Sequence, residues 1–259
     1  MPQIKTRTIK EKDEQYVCVC GHINEKEYQA ASKIRNQHLK KMHKKGWKTK
    51  IAIIDDKIVG FIHVIPIEIS PWGPSGKDLM FVPCLDVSNK YKGNGVGKAL
   101  VEAAIKEAKK RGTKGVTTIG YYNDSIFMPA EFFEKLHFTV VDRKGESAIL
   151  WIIFDESAEE PTFFEPTYEY TPIEGSVVID LFWNSFCLTS VTEALNVKEV
   201  AQEFKNEVVL REYNIDDREI LLQYQLPHGI FINGKEIYWG YAAPKKGIRK
   251  AILKELHSD

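Results

Sequence analysis

Lys92-Gly93-Asn94-Gly95-Val96-Gly97-Lys98 decides how this chain is read. An apolar run, Leu79-Met80-Phe81-Val82-Pro83-Cys84-Leu85-Asp86-Val87, leads into it, and an amphipathic stretch from Val96 to Lys110 leaves it. The order is strand, glycine-rich turn, helix. Such a turn aims several backbone N–H groups and a helix N-terminus at one point, which suits a pyrophosphate. Its glycines tolerate positive φ and let a ligand come close to the backbone. Two other phosphate-binding patterns do not fit. A P-loop needs Lys followed by Ser or Thr after its second glycine, and here Ala99 follows Lys98. The dinucleotide pattern G-x-G-x-x-G fails because Gly95-Val96-Gly97 runs on into Lys98-Ala99-Leu100.

What does fit is a basic residue, two residues, Gly, one residue, Gly, read from Lys92 to Gly97. This resembles the acetyl-CoA motif of the GCN5-related N-acetyltransferases, the GNAT family. Asp86 to Gly93 is similar to that family's exit from its central strand. Phe132-Phe133-Glu134-Lys135-Leu136-His137-Phe138 resembles its later helix, which usually reads Tyr-Glu-Lys-Leu-Gly-Phe. The resemblance covers roughly residues 3–154 and implies an α/β fold with a mixed sheet, domain 1–154.

The chain has 259 residues, so two domains are the better expectation. Formal net charge is zero, which argues against nucleic acid as a partner. The longest apolar runs, such as Ala148 to Phe154, are too short to span a bilayer, and Met1-Pro2-Gln3-Ile4-Lys5 lacks the apolar core of a signal peptide. A cytoplasmic protein without a membrane partner is expected. The four cysteines form no C-x-x-C pair, and no metal site is expected.

Along the chain, Tyr16 to Cys20 is predicted as a first strand with Cys18 and Cys20 on one face, and Glu25 to Lys45 as a helix with a basic end. Lys50 to Ile54 and Ile58 to Ile69 read as a hairpin joined at Asp55-Asp56-Lys57. Pro83 interrupts the strand that should be central. In the acetyltransferase fold this strand bulges and splays from its neighbour, which opens a slot for the pantetheine arm. Gly115 to Tyr122, Pro129 to Leu136, Thr139 to Val141 and Ala148 to Phe154 are predicted as strand, helix and a closing pair of strands. Residues 155–176 are rich in Asp, Glu and Pro and read as an acidic linker.

Residues 177–259 are predicted in the order β-α-β-α-β-β-α, with Asn233-Gly234 as a hairpin turn. That order resembles a thioredoxin-like fold. Phe182 to Ser190 resembles its active-site segment, with Cys187 in the place of the nucleophilic cysteine and Ser190 in that of the resolving one. Leu226-Pro227 resembles its cis-proline. The two domains in this sequence resemble the YoaP-like acetyltransferases.

The resemblance implies acetyl-CoA as cosubstrate and a direct attack by an amine. Backbone groups of Lys92, Gly93, Asn94, Gly95, Val96, Gly97 and Lys98 would hold the pyrophosphate. Leu85, Asp86 and Val87 would hold the pantetheine arm, and Asn123 is a further cofactor contact by position. An ammonium group has a pKa of about 10, so a base should remove its proton. Glu68, Asp86 and His63 are candidates. The family's usual acid is a tyrosine where this chain has Phe133, so Tyr121 or Tyr122 would substitute. Cys84 is read as an acyl-cysteine candidate or a packing residue, and Cys187 as a redox thiol or a structural one. The acceptor is read as a small-molecule amine, and a homodimer is left open. The alternative is a non-catalytic acyl-CoA-binding or thiol-redox-sensing protein.

Overall fold

In a computed structural model, residues 3–20, 28–123, 128–239 and 242–257 are described. The chain divides into two compact units, one of residues up to 23 with 39–164, the other of 24–38 with 165–259.

The first unit is built on an eight-stranded sheet. Its elements are β1 (Lys5–Thr8), α1 (Glu14–Cys18), the end of α2 (Gln29–Lys44), β2 (Lys48–Ile54), β3 (Lys57–Pro66), β4 (Leu79–Val82), β5 (Leu85–Val87), α3 (Val96–Lys110), β6 (Gly115–Tyr121), α4 (Ala130–Glu134), β7 (Thr139–Lys144) and β8 (Ser147–Ile153). The strand order is β1-β2-β3-β4-β6-β8-β7, with β5 paired to β3. Among the described strands of this sheet only β4 and β6 run parallel, joined through α3. Val96, Leu100, Val101, Ala104 and Ala108 of α3 pack on Ala52, Ile62, Val64, Met80, Val82 and Val116 of the sheet. The i, i+4 spacing of these α3 residues, written in the sequence, buries one side of the helix.

Two sequence expectations are corrected. Tyr16 to Cys20 is not a strand: Glu14–Cys18 is helical, and the first strand is Lys5–Thr8. Cys18 and Cys20 therefore share no strand face; Cys18 is buried and Cys20 is partly exposed in left-handed backbone at φ 48°. Apolar residues at short spacing fit either element, and the helix caps the sheet, with Tyr16 edge-on to Phe61 at 6.4 Å. The second hairpin strand ends at Pro66, and Ile67–Ile69 turns into a 3-10 helix, since Pro66 has no N–H to continue a ladder. The expected helix start at Glu25 lies outside the described residues; from Gln29 the helix runs to Lys44.

The second unit has β9 (Val177–Trp183), α5 (Leu188–Glu203), β10 (Val208–Asn214), α6 (Arg218–Tyr224), β11 (Gly229–Ile232), β12 (Lys235–Glu236) and α7 (Lys245–Leu256). Its sheet runs β10-β9-β11-β12, with β10 parallel to β9 and both β11 pairings antiparallel. Asn233 and Gly234 take φ of 50° and 77°, as a type I′ hairpin requires. No peptide bond among the described residues is cis, so Leu226-Pro227 is trans, against the expected cis-proline. The acidic stretch is not free chain: Thr162 bridges Ser75, and Tyr168 packs on Phe182 and Phe231. No helix among the described residues is long and apolar enough to cross a membrane.

The fully buried strand β9 carries one carboxylate, Asp180, at 0% exposure. Arg211 of β10 meets it with two bonds of 2.6 Å, and the Tyr168 hydroxyl donates a third at 2.7 Å. Burial and the Asp180 bond push the Tyr168 pKa well above the ordinary phenol value. Removing one partner of a buried pair strands the other charge. Arg211→Met is expected to cost about 3–5 kcal/mol in urea denaturation, and Asp180→Leu/Arg211→Met to recover most of that loss.

Candidate active site

The β4–β6 ladder runs from Leu79↔Gly115 to Val82↔Thr118 and stops there. Pro83, which cannot donate to a ladder, and Cys84 break the strand. Beyond the break Leu85, Asp86 and Val87 pair with Ile62, Phe61 and Gly60 of β3. Ile119 to Tyr121 pair with β8. No ladder pair joins Leu85–Val87 to Ile119–Tyr121 among the described residues, so the sheet opens in a V between β5 and β6. The Thr118 hydroxyl donates to Val82 O at 2.9 Å and closes the bottom of the V. On the other side Gly60 lets β5 lie close to β3: a Cβ there would sit 2.6 Å from Asp86 O.

The glycine turn stands at the mouth of this opening. Gly93 and Gly95 have φ of 78° and 82°, in the left-handed region where side chains are disfavoured. Gly95 is the N-cap of α3, and the first helical bond is Ala99 N–H to Gly95 O at 3.0 Å. The N–H groups of Val96, Gly97 and Lys98 carry no backbone acceptor among the described residues, as at any helix start. Together with the helix dipole they favour an anion. A Cβ on Gly97 would lie 3.0 Å from the Phe132 ring and 4.0 Å from Leu85, so α3, β5 and α4 converge there. The backbone fits a diphosphate at the turn and an extended arm along Leu85–Val87.

The candidate acid and base residues are spread out. Asp86 stands opposite Phe61, on the sheet face away from α3, where α1 brings Tyr16. Burial, and then the Asp86 charge, pushes the Tyr16 pKa up to about 12. Tyr121 alternates with Gly120, whose Cα faces Ala130 of α4, so its side chain leaves the strand towards that same far face, while it also packs against the edge of the core cluster. Tyr122 is committed elsewhere: its hydroxyl donates to Glu134 at 3.0 Å, and Arg143 lies 4.2 Å from its ring. Burial and the Glu134 bond raise its pKa. Asn123 donates to Glu146 at 2.7 Å. Glu68 accepts the Asp78 N–H at 2.6 Å, ahead of β4 and at the opposite end of that strand from the V. Phe133 is fully buried against Phe132 and Phe138, so a hydroxyl at that place would enter an apolar core. Cys84 is partly exposed, and its carbonyl accepts the His63 N–H at 3.0 Å. In the second unit Cys187 is the N-cap of α5, and its N–H donates to Asn184 Oδ1 at 2.9 Å. Ser190 is buried and accepts the Asn184 N–H at 3.0 Å. Among the described residues no cluster of three His, Cys, Asp or Glu is placed to hold a metal.

Residues 14–138 match the model of the Acetyltransferase (GNAT) family. That stretch is similar to a GNAT acetyltransferase domain. The chain is 26% identical over 188 residues to the uncharacterized N-acetyltransferase YoaP of Bacillus subtilis (strain 168), a match covering 71% of this chain and 73% of YoaP. Among solved structures it is similar to the PaiA N-acetyltransferase of Thermoplasma acidophilum in complex with coenzyme A (18% identity, 59% of this chain, 99% of that one, TM-score 0.44). It is also similar to yncA, a putative acetyltransferase of Salmonella typhimurium with its cofactor acetyl-CoA (14% identity, 60% and 96%, TM-score 0.45). The protein is an acetyl-CoA-dependent acyltransferase.

Sequence reading missed Tyr16, Thr49 and Phe132 as neighbours of this site. The register that brings Thr49 opposite His63 depends on a bulge in the hairpin, which no local signal announces.

The turn yields a direct test. Acetyl-CoA is expected to raise the Tm of the wild-type protein, since a ligand that binds only the folded state stabilises it. Gly95→Glu and Gly97→Glu, which add a carboxylate to the anion site, are expected to abolish the shift in differential scanning fluorimetry. An undiminished shift in both would displace the cofactor from this turn.

Proposed function

We propose that the chain acetylates a small primary amine by direct attack on the thioester of acetyl-CoA, without a covalent enzyme intermediate. The observation that carries this reading is the V between β5 and β6 with the glycine turn at its mouth. In this reading the turn Lys92–Lys98 holds the pyrophosphate and Leu85–Val87 the pantetheine arm as an added strand. A backbone N–H at the strand break polarises the thioester carbonyl. Asp86 attracts the ammonium group, with Tyr16 held neutral beside it. Tyr121, on the same face, supplies the proton to the departing thiolate.

We read 1–154 as the acetyltransferase domain, 155–176 as a connection, and 177–259 as a thioredoxin-like domain. The order β10-β9-β11-β12, with its one parallel and two antiparallel pairings, supports the last assignment. Cys187 at a helix N-cap with Ser190 in the resolving place supports single-thiol chemistry over a disulfide cycle. No disulfide joins the four cysteines, which supports a reducing, cytoplasmic setting.

The test is release of CoA thiol from acetyl-CoA across a panel of primary amines, with the acetylated product identified by mass spectrometry. Tyr121→Phe is expected to lower kcat by about 100-fold, within the range of general acid catalysis. Tyr122→Phe is expected to stay near wild type, because its hydroxyl already serves Glu134. Equal kcat in the Tyr121→Phe and wild-type proteins would move the acid elsewhere.

A further inference from the structure

A buried chain of hydrogen bonds leaves the strand break on the far face of the sheet. His63 of β3 stands across from Cys84, to whose carbonyl its backbone N–H donates at 3.0 Å. Its neighbours Ile62 and Val64 face α3, so the imidazole lies on the opposite face, with Phe61 and, across the hairpin, Thr49. The ring is fully buried, edge-on to Phe61 at 5.3 Å. His63 Nδ1 is 2.9 Å from Thr49 Oγ1, and the same oxygen is 3.0 Å from Nε2 of His43. Thr49 is also fully buried, whereas the His43 ring, near the end of α2, is partly exposed.

A hydroxyl has one proton to give, so between two imidazole nitrogens it can donate to one and accept from the other. The chain therefore has two orientations, and passing from one to the other moves one proton equivalent along its length. In one orientation His63 carries its proton on Nδ1 and donates it to Thr49, which donates to bare Nε2 of His43. The basic nitrogen of His63 is then Nε2.

We propose that His63, Thr49 and His43 form a proton relay that carries the net proton of amine acetylation from the strand break to solvent. The proposal rests on the acetyltransferase reading above. An ammonium acceptor and acetyl-CoA give an acetamide, CoA thiol and one released proton. One ammonium proton must leave before attack, to free the lone pair; a second leaves the nitrogen after attack and ends on the thiolate. The relay takes the first. It reaches His63 Nε2, the Nδ1 proton passes to Thr49 Oγ1, the hydroxyl proton passes to His43 Nε2, and His43 releases its Nδ1 proton to water. No oxidant or further reactant is needed. His43 is suited to the last step. Burial, and then the nearby Lys48, lowers its pKa against the opposing pull of Glu14, so the imidazolium sheds its proton readily. Lys41, Lys44 and Lys45 near the end of α2 are exposed.

The test uses the full-length protein, acetyl-CoA, and the primary amine that turns over fastest in the panel. Thr49→Val keeps the shape and removes the hydroxyl. It is expected to lower kcat by about 10- to 100-fold, with the KM for acetyl-CoA and the CoA-induced rise in Tm unchanged. Thr49→Ser keeps a hydroxyl and is expected to restore kcat to within about twofold of wild type on the same scale. His43→Gln, at a partly exposed position, keeps a hydrogen bond to Thr49 but cannot pass a proton on, and is expected to fall with Thr49→Val. Wild-type kcat in Thr49→Val or in His43→Gln overturns the relay, as does an equal loss in Thr49→Val and Thr49→Ser with CoA binding intact. Turnover in the wild type that these variants leave unchanged sinks the relay alone. A wild type that binds CoA and acetylates no amine sinks the acetyltransferase reading, and the relay with it.

Discussion

The site depends on a ladder that stops. A β-sheet satisfies its backbone by pairing every strand with its neighbours, and a gap inside a sheet leaves polar groups to be met by something else. Here β4 pairs with β6 as far as Val82↔Thr118, and the next residue is Pro83. Proline removes the N–H the ladder would use, the strand steps sideways, and Leu85–Val87 continues against β3 alone. The glycine turn follows directly from the stepped strand, so the anion-binding helix start and the open strand edge come as one unit.

Neighbouring residues hold that step in place. Gly60 permits the close approach of β5 to β3, because a side chain there would run into the Asp86 carbonyl. Thr118 ties its hydroxyl to the last carbonyl of the paired segment. Phe132 lies over Gly97, which couples α4 to the turn. Phe133, next to it, is fully buried in the core. The tyrosine usual at that place in the family is thus replaced by a packing residue, and the polar groups of this site gather on the other face of the sheet, around Asp86, Tyr16, Tyr121 and His63.

Much of this was legible in the sequence because it is local. A glycine spacing, a proline inside an apolar run and an amphipathic helix each act within a few residues, and Lys92–Gly97, Pro83 and Val96–Lys110 were found that way. The Asn233-Gly234 hairpin was equally plain, since few residues other than Asn and Gly accept its backbone angles. The first twenty residues were misread for the same reason in reverse. Tyr16 to Cys20 is a short apolar run with no strong period, and what decided for helix was the sheet face that Tyr16 covers.

By itself the sequence determined the glycine turn ahead of α3, the broken central strand and the order of elements beyond the first twenty residues. Only the tertiary structure decided which polar side chains meet. Counted back from the Asp55-Asp56 turn without interruption, Thr49 would stand opposite Ile62, and His63 would fall on the α3 face. A register shift between Ala52 and Ile53 makes Thr49 stand opposite His63 instead. One extra residue in one strand reverses the face on which every later pairing falls. That single bulge brings Thr49 and His63 to within a hydrogen bond on the far side of the sheet. The same logic committed Tyr122 to Glu134 and left Tyr121 on the face of Asp86. Backbone chemistry is written in consecutive residues, while side-chain chemistry depends on register and on what packs above the sheet.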